Sequence, residues 1–164
     1  MRPHSDMKTI YALSIITVIA LLNGCAQQPV SHKSPLELQA IQAKEFEATK
    51  KQGFAATLSV FQDMGYVVSS ASLDTGLITA KSPTKQDFVL FVGQRMRDRK
   101  GTAFVEEVGK GRTKIRLNFV DSTQTSSGYG MRGEQDVPVE TPDFYQDTFK
   151  KIQQAIFIRK NLEH

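Results

Sequence analysis

An Asp-Thr-Gly triplet, Asp74 to Gly76, is the first pattern in the chain that could do chemistry. An aspartic hydrolase needs two carboxylates a few ångströms apart that share one proton. A chain with one such triplet would have to pair two copies of Asp74 across a homodimer. Asp and Gly also favour β-turns for ordinary backbone reasons. We favour the turn, and an Asp74 hydrolase is kept as an alternative function.

Two glycine-rich segments and the histidines could suggest cofactor or metal chemistry. Gly128 to Gly133 spells G-x-G-x-x-G, but Pro138 argues against the helix that a dinucleotide site needs after it. Gly109 to Arg112 is a good hairpin turn. The three histidines lie at the extremities of the chain, which excludes a clustered metal site and a Ser-His pair inside the domain (His4, His32 and His164). We therefore expect a non-enzymatic protein without cofactor or metal.

A local run of basic residues is the candidate site for a partner or an anion. The run alternates arginine with other residues and ends in lysine, and two further cations on the exposed side of a later strand could extend it. The candidate residues are Arg95, Arg97, Arg99, Lys100, Lys114 and Arg116. We favour a solvated loop for the run itself, and binding of phosphates or of an acidic partner is kept as the functional alternative. The net charge of +4 is too small to argue for nucleic acid.

Cys25 is the single cysteine, and it follows a basic start at Lys8, an apolar stretch and the small Gly24. These are the parts of a secretory signal peptide. The Gly24-Cys25 junction resembles the lipobox of bacterial lipoproteins. That resemblance implies cleavage before Cys25, acylation of its thiol and attachment to a membrane. Ala26 in place of Asp implies the outer membrane, most simply its periplasmic face, and Met7 is a better initiator than Met1.

The expected organisation has three parts: a signal peptide over 1–24, a lipidated tether over 25–40 and one domain over 41–161. Without a second cysteine the domain has no disulfide to stabilise it, so its core depends on apolar burial.

Sequence patterns predict most elements of the domain. Thr49 to Gln52 is a capping box before a helix that ends at Gly65, and Ala43–Ala48 precedes it as an edge strand. Thr141-Pro142-Asp143 starts a second helix. Strands are expected at 66–71, 77–81, 102–108 and 113–121, where Ile115, Leu117 and Phe119 alternate with polar residues.

Two segments are harder to assign from the sequence. Phe88–Val92 is a continuous apolar run that fits a buried strand or part of a helix over 85–96, and we favour the helix. Ser122 to Glu140 is rich in Ser, Thr and Gly and is interpreted as a long mobile loop. The resulting fold class is α+β, an antiparallel sheet covered on one face by two helices.

The order of helix, Met64-Gly65-Tyr66, strand, Leu77 to Lys81, hairpin and Asp143-Phe144-Tyr145-Gln146 resembles the BamC-like (NlpB/DapX-type) lipoproteins. The resemblance implies a helix-grip fold over about residues 40 to 160 and brings no catalytic residues with it. The predicted lipid anchor, the small domain and the lack of a reactive constellation predict an outer-membrane lipoprotein that binds or scaffolds another envelope protein, in envelope assembly or transport. A carrier of lipid or another small hydrophobic ligand is the alternative that some helix-grip folds suggest.

Overall fold

The computed structural model describes residues 33–90, 93–126, 130 and 132–162. Lys33–His164 forms one compact unit. The predicted signal peptide, Cys25 and the first part of the predicted tether lie outside the described residues. Ser34 caps a helix, α1, over Pro35–Gln42 through a reciprocal capping box with Glu37.

Seven strands and three helices are present within the described ranges. After α1 they are β1 (Ala43–Phe46), α2 (Lys50–Asp63), β2 (Val67–Ser72), β3 (Leu77–Lys81), β4 (Lys85–Val89), β5 (Gly93–Gly109), β6 (Arg112–Ser126), β7 (Arg132–Pro138) and α3 (Pro142–Leu162). All strand pairs are antiparallel, in the order β1-β6-β5-β3-β2, while β4 pairs with β5 and β7 with β6. The predicted α+β class is confirmed.

The long β5–β6 hairpin divides the sheet into two parts. Its turn-proximal half is flanked by β3, which pairs with Lys100–Phe104, and by β1, which pairs with Thr113–Arg116. Its other half is flanked by β4, on Gly93–Arg97, and by β7, on Val120–Ser126. We call this second part, made of β4, β7, Gly93–Arg97 and Val120–Ser126, the distal ribbon.

The core lies between the proximal half of the sheet and the helices α2 and α3. Odd-numbered residues of β5 and β6 and even-numbered residues of β3 face the helices and are buried (Ala103, Val105, Ile115, Leu117, Phe119, Ile78 and Ala80). The helices contribute a matching apolar stripe (Val60, Phe61, Tyr145, Phe149, Ile152 and Ile156). Burying one such large side chain contributes about 1.5–3 kcal/mol, so this layer holds the fold together.

Tyr145 joins three segments at the start of α3. Its fully buried hydroxyl donates to the Val139 carbonyl at 2.9 Å. It accepts from the Phe119 amide at 3.4 Å and from the Gln42 side chain at 3.3 Å. The end of α1, the middle of β6 and the β7–α3 connection therefore meet on one oxygen atom.

The helix starts predicted from capping are confirmed. Thr49 and Gln52 form the reciprocal capping box at the start of α2, and α3 begins at Pro142. The strands at 77–81 and the hairpin turn at Gly109–Arg112 are also present.

Two predictions for the remaining segments are wrong. The favoured helix over 85–96 is replaced by β4, a turn at Leu90 and the start of β5, and Phe88 is 75% exposed rather than buried. The predicted loop over 122–140 contains the end of β6 and all of β7. The end of β6 and β7 are mostly polar on both faces, so they carry no period-2 signal that marks a half-buried strand.

Candidate binding cleft

A cleft lies where the helix layer ends and the distal ribbon continues. Its volume is about 730 Å³. The end of α2, the start of α3, the β3–β4 connection and the facing residues of β5 and β6 line it. These lining residues include Met64, Tyr66, Ser82, Pro83, Lys85, Arg97, Arg99, Asp121, Thr123 and Phe144. We call it the terminal cleft.

Arg99 is the fixed centre of the terminal cleft. Its Nε and Nη2 donate to the two carboxylate oxygens of Asp121 at 2.6 and 2.9 Å, a bidentate pair across β5 and β6. Its guanidinium carbon lies 4.7 Å from the centre of the Phe144 ring. Its backbone amide donates to the Ser82 hydroxyl at 2.8 Å. The planar guanidinium of Arg99 is therefore held by the Asp121 carboxylate at its edge and by the Phe144 ring on its face. A lysine ammonium cannot make both of these contacts.

The electrostatics of the cleft floor follow from these contacts. Hydrogen bonding to Asp121 raises the pKa of Arg99, so the guanidinium stays charged at any physiological pH. Burial raises the pKa of Tyr66, an effect that the neighbouring Arg99 partly opposes. Tyr66 is therefore a neutral phenol, and it packs on Phe61 and Phe119 with ring centroids 5.8 and 5.9 Å apart. The floor is a rigid layer of rings and one neutralised ion pair.

The rim of the terminal cleft is cationic and more exposed. Lys85 on β4 stands directly across from Arg97 on β5. Arg97 forms an ion pair with Asp87, and half of its side chain remains exposed. Exposed pairs of this kind contribute little to stability, so these side chains can exchange partners when a ligand approaches. The terminal cleft thus has an aromatic floor, the hydroxyl groups of Ser82 and Thr123, and a cationic rim. This combination suits an extended peptide with acidic side chains.

The structure divides the six predicted basic residues between the two faces of the sheet. Arg95, Arg97 and Arg99 point toward the helix side, and Lys100, by strand alternation, points to the open side. On that side Lys100 contacts Asp136 at 3.2 Å and Glu134 at 3.7 Å. The six residues therefore do not form one continuous surface.

Lys114 and Arg116 lie on the open face but far from Lys100. Lys114 is the cross-strand neighbour of both Glu45 and Glu106. Arg116 lies opposite Phe104. Lys100 pairs with Val120, which lies four residues from Arg116 and six from Lys114 on the same strand, about 13 and 20 Å at the usual rise of a strand. These two residues therefore belong to a different part of the open face.

Asp74 lies in the turn between β2 and β3, where the triplet serves the backbone. Its carbonyl accepts from Lys50 Nζ at 2.8 Å. The Thr75 hydroxyl donates to the Ser72 carbonyl at 3.4 Å, and Gly76 has a positive φ of 76°. A Cβ atom on Gly76 would lie 2.1 Å from the Val105 carbonyl oxygen. The turn alone explains each residue type.

The basic residues predicted from the sequence include Arg97 and Arg99 of the cleft, but not Lys85 or the uncharged and acidic residues that line it. Tyr66, Ser82, Asp121 and Phe144 come from four separate segments, and each looks like a strand, turn or helix residue in isolation. Across the described part of the chain, no group of three His, Cys, Asp or Glu side chains is placed to hold a metal ion. No helix of the described ranges is both long and apolar enough to cross a membrane.

No protein-family model and no curated protein matches the chain. A solved DUF4468 family protein from Bacteroides ovatus is similar at 10% identity and a TM-score of 0.39, covering 76% of this chain and 96% of that one. A solved TBP-like protein from Parabacteroides distasonis is similar at 13% identity and a TM-score of 0.30, covering 73% and 85%. These TM-scores are too low to support an argument about fold or function. The resemblance to BamC-like lipoproteins stays a prediction.

Proposed function

We propose that this protein is an outer-membrane lipoprotein whose domain binds an extended, acidic segment of another envelope protein in the terminal cleft. The observation that carries the binding role is the cleft itself, an open concavity with an aromatic floor and the cations Lys85 and Arg97 at its rim. The lipid anchor at Cys25 is the sequence-based part of the proposal. A scaffolding or accessory role in envelope assembly or transport is consistent with both parts.

Packing favours binding at the surface over carriage of a hydrophobic ligand. A helix-grip carrier holds its cargo between the sheet and the long C-terminal helix. Here that space contains Phe119, Tyr145, Ile152 and Leu117, all with less than 2% of their surface exposed. Because interiors are close-packed, a ligand would have to displace these side chains.

The peptide-binding role can be tested by photo-crosslinking in intact cells. A benzophenone amino acid replaces Pro83 at the cleft rim or, as the control, Asn118 on the open face; both positions are exposed. We expect an adduct with one defined envelope protein from position 83 and none from position 118. Lys85→Glu with Arg97→Glu should abolish the adduct, and Lys51→Glu with Lys150→Glu, exposed on the helices, should leave it unchanged.

The proposal fails if both positions give the same adducts or if the adduct survives reversal of the rim charges. Mass spectrometry of the purified native protein tests the anchor separately. We expect a mature N-terminus at a modified Cys25, and an unmodified thiol would overturn the lipoprotein part while leaving the cleft result intact.

A further inference from the structure

The end of the distal ribbon exposes large apolar side chains that no packing role explains. Phe88 is 75% exposed in the last part of β4, and Leu90 in the following turn is 69% exposed. Phe88 lies opposite Gln94 and level with Ser126 and Arg132, on the open face of the sheet. We call Phe88 and Leu90 the apolar tip. Single exposed apolar residues are common, but two large ones only two positions apart form a small patch of the kind that another molecule can cover.

The charge around the apolar tip indicates the chemistry of its occupant. From the row that contains Lys85 and Arg97 to the tip, the described residues of the ribbon carry four cations and two carboxylates (Lys85, Arg95, Arg97 and Arg132; Asp87 and Glu134). Three of these cations, Lys85, Arg95 and Arg97, lie on the helix side of the ribbon, and Arg132 lies on the face of Phe88. The end of the ribbon therefore combines exposed apolar side chains with an excess of two positive charges, which is typical of segments that enter the interface of an anionic bilayer.

The length of the chain before the folded unit permits this contact. The Lys33 amide is held by the Glu140 carboxylate at 3.0 Å, beside the Val139 amide that donates to the Phe119 carbonyl. From there to the tip, the ribbon runs over Val120–Ser126, about 20 Å at the rise of a strand. The eight residue steps from Cys25 to Lys33 can span up to about 28 Å.

We propose that the apolar tip inserts into the head-group region of the same anionic leaflet that holds the acyl chains of Cys25. This inference rests on the proposed lipid anchor and adds a second, non-covalent contact. The two contacts together orient the domain with the distal ribbon toward the bilayer. The helix layer and the opposite β5–β6 turn then lie away from it.

A single-site fluorescent probe tests the proposal on the mature, acylated full chain. Because acylation consumes the thiol of the one native cysteine, Leu90→Cys provides a unique labelling site for an environment-sensitive dye. Leu73→Cys, at 39% exposure in the turn at the other end of the sheet, is the control. On vesicles of phosphatidylethanolamine and phosphatidylglycerol, we expect a blue shift at position 90, quenching by shallow spin-labelled lipids, and neither change at position 73.

Two further variants separate the apolar and ionic parts of the contact. Phe88→Ser should abolish the blue shift at position 90, and its unfolding midpoint should be unchanged because this side chain is largely exposed. Arg132→Glu should reduce the shift, whereas Arg112→Glu at the opposite hairpin turn should leave it unaltered. Replacement of phosphatidylglycerol by phosphatidylcholine should reduce it as well.

Three results would overturn the proposal. The probe at position 90 could stay in water on bare vesicles and shift when an envelope protein is added. It could shift without lipid as the protein concentration rises, which would indicate contact between copies. The two positions could also respond equally. If Cys25 proves to be unmodified, Cys25→Ser protein without residues 1–24, added to the same vesicles, tests the tip without the anchor.

Discussion

Gly76 and Gly65 adopt nearly the same left-handed backbone in different surroundings, with φ of 76° and 80°. A side chain in this conformation costs about 1–2 kcal/mol whatever the space around it. At Gly65 a Cβ atom would have nothing within 4 Å, whereas at Gly76 it would meet the Val105 carbonyl oxygen. The two positions therefore separate backbone strain from steric overlap.

We expect Gly65→Ala to lower the free energy of unfolding by about 1–2 kcal/mol. Gly76→Ala should cost about 1–3 kcal/mol more, because β3 must move away from β5 to accept the methyl group. Urea unfolding of the two variants measures the difference. Equal losses would show that the β2–β3 turn relaxes without disturbing β5.

Lys100, Glu134 and Asp136 form an ion cluster on the open face of the sheet, and Asp136 makes it sensitive to pH. The Ser122 hydroxyl and the Lys100 ammonium lower the pKa of Asp136 below its ordinary value, near 3.8. A carboxylate with a lowered folded-state pKa stabilises the fold above its unfolded pKa, and that contribution disappears as the pH falls through the folded value.

Asp136→Asn should therefore reduce stability near neutral pH and flatten the loss of stability below about pH 4. Asp147→Asn, an exposed acid on α3, is the matched control and should leave the acid limb of the wild type intact. Denaturant midpoints measured from neutral to acid pH provide the comparison. If Asp136→Asn lost stability below about pH 4 as steeply as the wild type, solvent would be screening the ion cluster completely.

At the scale of elements, α3 stabilises the domain through one face. Ile152 is fully buried against the sheet, and Ile158 on the same helix is 58% exposed. The two residues have the same chemistry and the same helical propensity, so a comparison between them isolates burial.

Ile152→Ala should lower the free energy of unfolding by about 2–5 kcal/mol, and Ile158→Ala by less than about 0.5 kcal/mol. Thermal and urea unfolding of both variants measure this. A large loss of stability from Ile158→Ala would contradict the observation that this face of α3 is exposed to solvent.

The difference between covered and uncovered faces also explains which helices and strands could be predicted from the sequence. Thr49 and Pro142 mark helix starts through local hydrogen bonding and fixed φ, so they need no knowledge of the rest of the chain. The proximal strands alternate apolar and polar residues because helices cover one of their faces. β4 and β7 lie beyond that cover, and their exposed residues have no reason to alternate.

At the scale of the whole molecule, the terminal cleft shows why a site can be harder to predict than a fold. Arg97 and Arg99 were visible as a cluster because they are close in sequence. Asp121, which neutralises Arg99, and Phe144, on which it stacks, are brought to it by β5–β6 register and by the start of α3. Such long-range placement has no local signal, so the predicted surface contained cations from both faces and missed the floor of the cleft.

The division of the sheet also predicts a gradient of stability along single strands. Gly101–Val105 of β5 lie under the helices, whereas Gln94–Arg97 of the same strand are bonded to β4 and β6 without a helix above them. Local opening costs less where few apolar contacts must be broken. The distal ribbon should therefore open without unfolding of the core.

Native-state hydrogen exchange resolves this gradient residue by residue. We expect amides of Gly101–Val105 to exchange at the rate set by global unfolding, which costs about 5–15 kcal/mol in domains of this kind. Amides of Gln94–Arg97 that bond to β4 and β6 should exchange through a smaller opening with a weaker dependence on denaturant, because less surface is exposed. The shared strand provides an internal control for sequence and solution conditions. If both groups exchanged together, the ribbon would be a cooperative extension of the core.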